Sequence, residues 1–295
     1  MPPDLSAGAA ALLGWFDHRQ RDLPWRATRD PWTVLVSELM LQQTQVARVV
    51  PRFHEFIARF PTPAACAAGT VGDVVTLWAG LGYNRRAVNL HRCATAVMAN
   101  HSGRFPDRLA TLLALPGIGP YTARAVLVFA FERDVGVLDV NATRVLSRLS
   151  SHAVEQSEAD TFVPSGQGWA WNQAVLDLGA TVCRPVPDCA SCPLAGGACA
   201  WQAAGRPDPD PWRRSARQSA FMGSDRQGRG RLVEALRAGP VTAIQVAPTM
   251  GWPEDPQRVA RVAATLVADG LAVVDGTGTW RLPSSNGSGR SRGAC

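Results

Sequence analysis

The sequence predicts a mainly α-helical protein that ends in a small α/β unit, and two observations support this fold class. Between residue 5 and about residue 200, apolar residues recur at spacings of three and four, and strand signals are almost absent. After residue 224, three helical segments precede LAVVDGTGTWRLP, whose Asp275-Gly276 step predicts a hairpin. Three helices followed by a hairpin are typical of a winged-helix-like domain.

The helical part is expected to consist of short helices joined by short loops. Asp30 and Pro31 supply a cap and a first-turn proline for a helix over WTVLVSELMLQQ. Further helices are expected over residues 46–60, 70–79, 84–100, 107–114, 120–131, 141–151 and 168–181.

Changes in composition along the chain predict its domain boundaries. One segment after the helical part is rich in Pro, Arg and Ser and lacks periodicity, which is typical of a linker. The Ser- and Gly-rich end of the chain predicts a disordered tail. We therefore expect a helical body over residues 1–202, a linker over 203–224, the winged-helix-like domain over 225–282 and the tail over 283–295.

The 295-residue chain has a formal charge of +6, and all thirty of its basic residues are arginines. A GC-rich coding sequence explains most of this bias, although arginine also suits contacts with phosphates. Without lysine, the chain has no side-chain amine for Schiff-base chemistry. We find no signal peptide and no apolar run near the roughly 18 residues of a membrane span, so a cytoplasmic location is expected, at the nucleoid in a bacterium.

Four of the seven cysteines fall within one short segment, CRPVPDCASCPLAGGAC, as Cys183, Cys189, Cys192 and Cys199. Such a cluster in a cytosolic protein indicates metal binding rather than disulfides. Zinc ribbons usually show two C-x2-C pairs, whereas this segment has one pair flanked by wider gaps. The spacing therefore favours an iron–sulfur cluster over zinc, and leaves an empty loop as a third possibility.

The segment LPGIGPYTARAV predicts two helices joined by a tight turn. Gly117, Ile118 and Gly119 form the turn, and Pro120 begins the second helix. Backbone N–H groups at such a helix N-terminus can bind a DNA phosphate without reading sequence. The alternative is a helical corner with no ligand.

Two carboxylates stand out as catalytic candidates. Asp139 lies twenty residues after Gly119, where Asp139 or Asn141 could simply cap the next helix. Glu38 lies among apolar residues of SELMLQQTQ, and burial there would raise its pKa and keep a proton available near neutral pH. The alternative for Glu38 is a solvated position on a helix that is only partly buried.

Together these motifs resemble the helix–hairpin–helix DNA glycosylases with an iron–sulfur cluster, the endonuclease III superfamily. Within it, LPWR, SELMLQQTQV, GLGYNRR and WNQAVLDLGATVC are similar to the adenine DNA glycosylase branch, the MutY family. The resemblance covers about residues 10–202. It implies a two-part helical body, a [4Fe–4S] cluster on the four cysteines, and excision of adenine opposite 8-oxoguanine or guanine.

The resemblance also assigns roles to single residues. Glu38 would protonate the adenine ring at N7 after the base leaves the stack, and Asp139 would stabilise or briefly attack the oxocarbenium-like sugar. Asn141 and Tyr121 would help to place Asp139 and the sugar. The other implied contacts are the adenine pocket (Trp25, Arg26, Gln173), the stack (Gln42, Tyr83) and the opposite base (Gln43, Thr44, Leu81). Trp25 is also consistent with a core aromatic.

Three features bear on this interpretation. Tyr121 stands where relatives that nick DNA have a lysine, so a monofunctional glycosylase is expected. The cysteine gaps are five, two and six residues, whereas six, two and five are usual in the family. Typical members also carry a Nudix-like domain that reads 8-oxoguanine, where this sequence predicts a winged helix. Recognition of 8-oxoguanine would then depend on Gln43, Thr44, Leu81 and Tyr83, or on residues 225–282.

The expected partner is double-stranded DNA with an A·8-oxoguanine or A·G mispair, bound by a monomer without any membrane. Two other functions stay open at this point. One is a related glycosylase for another target, such as thymine in a G·T mismatch, although a pyrimidine offers no N7 to protonate. The other is a non-enzymatic iron–sulfur regulator that binds DNA through its winged helix.

Overall fold

The computed structural model describes residues 5–213 and 220–284 and confirms the mainly α-helical fold. The helices are α1 (Leu5–Arg19), α2 (Pro31–Leu41), α3 (Val46–Arg59), α4 (Pro63–Ala68), α5 (Val71–Leu77), α6 (Arg85–His101), α7 (Leu109–Leu113), α8 (Pro120–Phe129), α9 (Val140–Ser150), α10 (Gln156–Thr161), α11 (Gly168–Thr181), α12 (Ala200–Ala203), α13 (Asp225–Ala238), α14 (Ala243–Met250) and α15 (Pro256–Asp269). Within the described ranges, none of these helices is long and apolar enough to cross a membrane.

Each predicted helical segment contains a helix, and apart from α1, for which no bounds were predicted, the sequence missed only short ones. The helix α4 was overlooked although Thr62 caps it by accepting a hydrogen bond from Ala65 N at 3.1 Å and Pro63 occupies its first turn. The helices α10 and α12 have six and four residues, too few for a periodic apolar pattern to emerge.

The contacts divide the chain into two compact units, and each unit is assembled from separate segments. Unit 1 contains Met1–Leu35, Asp107–Leu113 and Ile118–Arg217. Unit 2 contains Val36–Pro106, Ala114–Gly117 and Gln218–Cys295.

The core of unit 1 lies where α1, α9 and α11 pack together. Its apolar side chains include Leu12 and Phe16 from α1, Leu146 from α9, and Trp171 and Leu178 from α11. The cysteine segment packs against this same cluster, because Leu194 is buried in it and Cys183, Cys192 and Cys199 lie at its edge. The core therefore supports the start of α9, where Asp139 lies.

The core of unit 2 is formed by α3 to α6. The rings of Phe56 and Phe60 lie 5.3 Å apart, and Trp78 meets Phe56 edge-on at 6.1 Å. The helix α4 packs along α6, where Cys66 and Cys93 are fully buried, as expected for core residues.

The C-terminal part of unit 2 has the predicted winged-helix-like order. The helices α13, α14 and α15 precede an antiparallel pair of strands, β1 (Val273–Val274) and β2 (Trp280–Arg281), and Val241 adds a bridge to Trp280. This module packs against the helical body, since α13 contacts α5 and Gly72 N donates to Pro283 O at 2.9 Å. The domain boundaries themselves stay a prediction, and the predicted tail from residue 285 onward lies outside the described residues.

The predicted linker is not uniformly exposed. Asp210 accepts hydrogen bonds from the buried Arg148 at 2.5 and 3.1 Å, and it is itself 9% exposed at its side chain. This part of the predicted linker is therefore fastened to unit 1.

The tight turn between α7 and α8 needs glycine at one of its two glycine positions. Gly117 has a φ of +76°, and a Cβ there would lie 2.5 Å from the Cβ of Asn89 on α6. Gly119 has a φ of −93° and open space around its missing Cβ, and it precedes Pro120 at the first turn of α8. A methyl group would therefore destabilise the fold at Gly117 and have little effect at Gly119.

We expect Gly117→Ala to lower the free energy of unfolding by more than about 1 kcal/mol, because it adds both backbone strain and a clash with Asn89. Gly119→Ala is the matched control and should change that free energy by less than about 0.5 kcal/mol. Urea unfolding followed by circular dichroism measures both. Equal losses in the two variants would contradict this account of the turn.

Candidate functional site

Asp139 is held at the N-terminus of α9. Its carboxylate accepts hydrogen bonds from the backbone N–H groups of Asn141 at 2.8 Å and Ala142 at 2.7 Å, and Asn141 Nδ2 lies 3.3 Å from the other oxygen. Burial raises the pKa of the Asp139 carboxyl, although these hydrogen bonds oppose the shift. Asp139 thus does cap α9, and its carboxylate is partly buried.

Arg144, which the sequence analysis missed, links Asn141 to the cysteine segment. It donates to Asn141 Oδ1 at 2.7 Å, to Gly179 O at 2.8 Å and to Cys183 O at 2.8 Å. Arg144 lies one turn after Val140 on α9. From sequence alone, an arginine in a helix is expected to be exposed to solvent. Its contacts fix the orientation of the Asn141 side chain.

Trp25 and Arg26 lie in a 3-10 helix, Pro24–Ala27, that a buried carboxylate holds in place. Arg26 makes a bidentate contact with Asp177 on α11, with N–O distances of 2.7 and 2.8 Å, and Arg21 Nε lies 2.6 Å from Asp177 Oδ1. Burial by itself raises the pKa of Asp177, but Arg26 and Arg21 outweigh it and the net shift is downward. Asp177 stays ionised and was not singled out from the sequence.

These contacts bear on the predicted adenine pocket. Trp25 is buried, and so is Gln173, which lies one turn before Asp177 on α11. The guanidinium of Arg26 donates to both oxygens of Asp177. This contact is consistent with Arg26 positioning the segment that contains Trp25.

Glu38 lies in α2 and is only 6% exposed. Its neighbours Val36, Leu39 and Met40 are also buried, so α2 is an internal helix around this position. An ionisable carboxyl in such surroundings is costly to maintain and is typical of functional sites.

Two of the residues expected at the opposite base, Thr44 and Leu81, are joined by one buried arginine, Arg86. Its guanidinium donates to the carbonyl oxygens of Leu39 and Met40 in the last turn of α2 and of Gln42 just after it, and to those of Leu81 and Gly82 before α6, at 2.5 to 3.1 Å. Burial lowers the pKa of Arg86 to about 10, so the guanidinium is charged at neutral pH.

Thr44 lies in the same hydrogen-bond network. Its hydroxyl donates to Leu81 O at 3.2 Å and accepts from Arg86 Nη2 at 3.2 Å. Gln43 and Tyr83 both adopt left-handed backbone conformations, with φ of +54° and +45°. Such conformations are rare for side chains of this size and cluster at functional sites.

The four predicted cysteine ligands line one cavity, together with Arg148 and Trp201. Burial raises the pKa of the Cys183 thiol, whereas Arg148, whose Nη1 lies 3.3 Å from Cys183 Sγ, lowers it. The Trp201 indole N–H is buried without a hydrogen-bond partner among the described residues. Within residues 5–213 and 220–284, no three Cys, His or carboxylate side chains form a group that could hold a single metal ion.

The structure brings some predicted residues together and leaves others in separate units. Unit 2 holds Glu38, Gln42, Gln43, Thr44, Leu81, Tyr83 and Gly117. Unit 1 holds Trp25, Arg26, Ile118, Gly119, Tyr121, Asp139, Asn141, Gln173 and the four cysteines. Tyr121 lies half-buried in the first turn of α8, directly after the turn that contains Ile118.

Comparisons with known proteins agree with this arrangement of motifs. Residues 36–162 match the model for the HhH-GPD superfamily base excision DNA repair protein. The fold is similar to that of a thermostable thymine-DNA glycosylase, with a TM-score of 0.63 and 27% identity over 68% of this chain and 97% of that one.

Two mycobacterial relatives match nearly the whole chain. An adenine DNA glycosylase of Mycobacterium tuberculosis is 41% identical over 92% of both chains. An adenine DNA glycosylase of Mycolicibacterium smegmatis is 40% identical over 97% of this chain and 99% of its own length. The similarity thus extends through the C-terminal module, and the chain belongs to the adenine DNA glycosylases of the helix–hairpin–helix, endonuclease III-like superfamily.

Proposed function

We propose that this protein hydrolyses the N-glycosidic bond of adenine mispaired with 8-oxoguanine or guanine in duplex DNA and leaves an intact abasic site. The observation that carries the proposal is the buried carboxyl of Glu38, in a chain whose similarity to adenine DNA glycosylases spans nearly its full length. Thymine is a weaker candidate, because the structure that resembles this fold and acts on thymine is more distant.

Glu38 is assigned as the general acid. Only 6% of Glu38 is exposed, so a base extruded into this site would meet the carboxyl away from bulk water. Proton transfer to N7 of the extruded adenine weakens the bond to the sugar, because the neutral base is then the leaving group. The base must leave the stack first, since its bond lies inside the duplex.

Asp139 is assigned to the sugar. As the base departs, positive charge develops on the sugar ring, and an ionised carboxylate next to it stabilises that charge or forms a transient bond. The N–H groups of Asn141 and Ala142 hold the carboxylate in a fixed direction, and Arg144 fixes the Asn141 side chain in turn. Water then completes the hydrolysis.

We expect base release without strand cleavage, because the chain has no side-chain amine for Schiff-base chemistry. Strand cleavage through a Schiff base needs an amine nucleophile, and the sequence contains no lysine. Tyr121, in the first turn of α8, stands where relatives that nick DNA are expected to have a lysine. Borohydride should therefore trap no covalent adduct with the DNA.

The spacing of the four cysteines favours an iron–sulfur cluster over zinc, because it has one C-x2-C pair flanked by wider gaps where zinc ribbons usually show two pairs. All four thiols line one cavity, as ligands of one cluster would. In a [4Fe–4S] cluster each thiolate binds its own iron. Cys183, Cys189, Cys192 and Cys199 would hold it, Arg148 would offset the thiolate charge, and the cluster would brace the segment against α9.

Glu38→Gln should lower the single-turnover rate of adenine release opposite 8-oxoguanine by at least about 10²-fold, since it removes the proton donor. Glutamine keeps the size and the hydrogen-bonding ability of the side chain. A matched control is Glu55→Gln on the exposed face of α3, which should leave the rate unchanged. A Glu38→Gln variant with the wild-type rate would refute the assignment.

Asp139→Asn should lose activity and yet unfold at the same or a higher temperature at pH 8. Burial raises the pKa of Asp139, so its ionised form destabilises the fold above that pKa, and asparagine keeps the helix cap. As the pH falls through the raised pKa, wild type regains this stability and the difference between the two proteins narrows. Thermal unfolding at several pH values measures it, and a variant that is less stable at pH 8 would contradict the account.

Cys199→Ala should abolish the broad visible absorption of the purified protein and lower its iron content and melting temperature, because a bound cluster stabilises the folded state. Cys93→Ala, a buried change outside the cysteine segment, is the control and should retain the iron. One equivalent of zinc in a colourless wild-type protein would show that the iron–sulfur assignment is wrong.

A further inference from the structure

One carboxylate of the predicted linker reaches the cysteine cavity through a buried arginine. Asp210 lies in the segment over residues 203–224, yet its side chain is only 9% exposed and pairs with Arg148, whose side chain is 1% exposed. Asp210 Oδ2 accepts hydrogen bonds from Arg148 Nη2 at 2.5 Å and from Arg148 Nε at 3.1 Å. Because both charges are removed from water, each depends on the other for compensation.

The remaining donors of Arg148 are directed at the cysteine segment. Arg148 Nη1 lies 3.3 Å from Cys183 Sγ and donates to Arg184 O at 2.7 Å, and Nη2 donates to Pro185 O at 3.2 Å. With the two bonds to Asp210, these contacts use all five N–H groups of the guanidinium. Arg148 is therefore held in one orientation, with its Nε–Nη2 edge on Asp210 and Nη1 on Cys183.

The local fold of the linker aims Asp210 at this arginine. The second carboxylate oxygen, Oδ1, accepts a hydrogen bond from Trp212 N at 2.9 Å, which closes a turn typical of aspartate. The carbonyl oxygen of Asp210 accepts from Arg213 N at 3.3 Å. Upstream, Arg206 N donates to Trp201 O at 3.0 Å, so the chain folds back on the end of α12. Residues 206–213 thus form an ordered segment, which we call the linker strap.

We propose that Asp210 is a positioning residue for the cluster site: the docked linker strap holds Arg148 on Cys183 and thereby slows the loss of the cluster. The inference rests on the [4Fe–4S] occupant of the proposed function. Four thiolates bring negative charge, which the guanidinium offsets while one of its N–H groups faces Cys183 Sγ.

Without the carboxylate of Asp210, the Nε and Nη2 groups of Arg148 would be left in the interior with unmet hydrogen bonds. The guanidinium would then turn towards water and leave Cys183. Docking of the linker strap and retention of the cluster are therefore coupled, and the coupling must act equally in both directions.

The first test measures loss of the cluster from the full chain. Asp210→Ala should lose its visible absorption to an iron chelator at least about tenfold faster than the wild type, because a buried charge without its partner strongly destabilises its surroundings. Asp208→Ala removes an exposed carboxylate two residues away and is the matched control, which should decay like the wild type. Equal decay of Asp210→Ala and the wild type would overturn the proposal.

The reduction potential of the bound cluster separates positioning from a plain charge effect. Positive charge and hydrogen bonds at the sulfur atoms favour the reduced, more negative cluster. If Asp210→Ala releases Arg148 from Cys183, the potential should fall. If Asp210 contributes only its own negative charge, the potential should rise instead, and a rise or no shift would overturn the positioning role. Asp210→Glu keeps the carboxylate and should restore most of the potential and the retention.

Hydrogen exchange tests the reverse direction of the coupling. In wild-type protein stripped of its iron, exchange in the linker strap should rise relative to α6, which lies in unit 2 and serves as the internal reference. Unchanged exchange in the stripped protein would show that the cluster does not hold the linker strap, and would contradict the coupling.

These results are distinguishable from a failure of the proposed function. A colourless wild-type protein would overturn both the cluster assignment and this inference. A coloured wild type whose Asp210→Ala variant matches it in decay rate and potential would overturn the inference alone. Adenine release, measured separately, decides the proposed reaction in either case.

Discussion

A charged group that is removed from water must be matched by polar partners close by, and this constraint shapes both units of the protein. In unit 1 the buried carboxylate of Asp177 draws Arg21 and Arg26 onto α11 and thereby fixes the segment that contains Trp25. In unit 2 the buried guanidinium of Arg86 binds carbonyl oxygens at the end of α2 and in the turn before α6. The surfaces assigned to the adenine and to the opposite base are thus each positioned by one compensated charge.

In the role proposed for Asp139, the same constraint links stability to catalysis. The hydrogen bonds that make Asp139 a good helix cap also aim its carboxylate, and its partial burial makes the ionised form costly. Under this proposal the protein gives up some stability to keep the carboxylate in place. Capping and the proposed catalysis, which looked like alternatives in the sequence, are compatible uses of one side chain.

The sequence was informative wherever a signal is local. Helical periodicity located the main helices, and the turn chemistry located the turn that contains Gly117 and Gly119. The apolar surroundings of Glu38 raised burial as one of two alternatives, and the structure shows it buried. It was uninformative about pairings between distant segments. Arg26 and Asp177 are 151 residues apart, and nothing in either local pattern indicates the partner. Arg86 likewise looks like an ordinary surface arginine of a helix until its carbonyl partners are seen.

The central claim is that this chain removes adenine according to the base opposite it. Single-turnover base release by the wild-type protein on four duplexes tests this most directly: A opposite 8-oxoguanine, A opposite guanine, A opposite thymine, and T opposite guanine. The account predicts adenine release from the first two duplexes and no base release from the last two. Release of thymine from the G·T duplex, or of adenine from the normal A·T pair at a comparable rate, would contradict it.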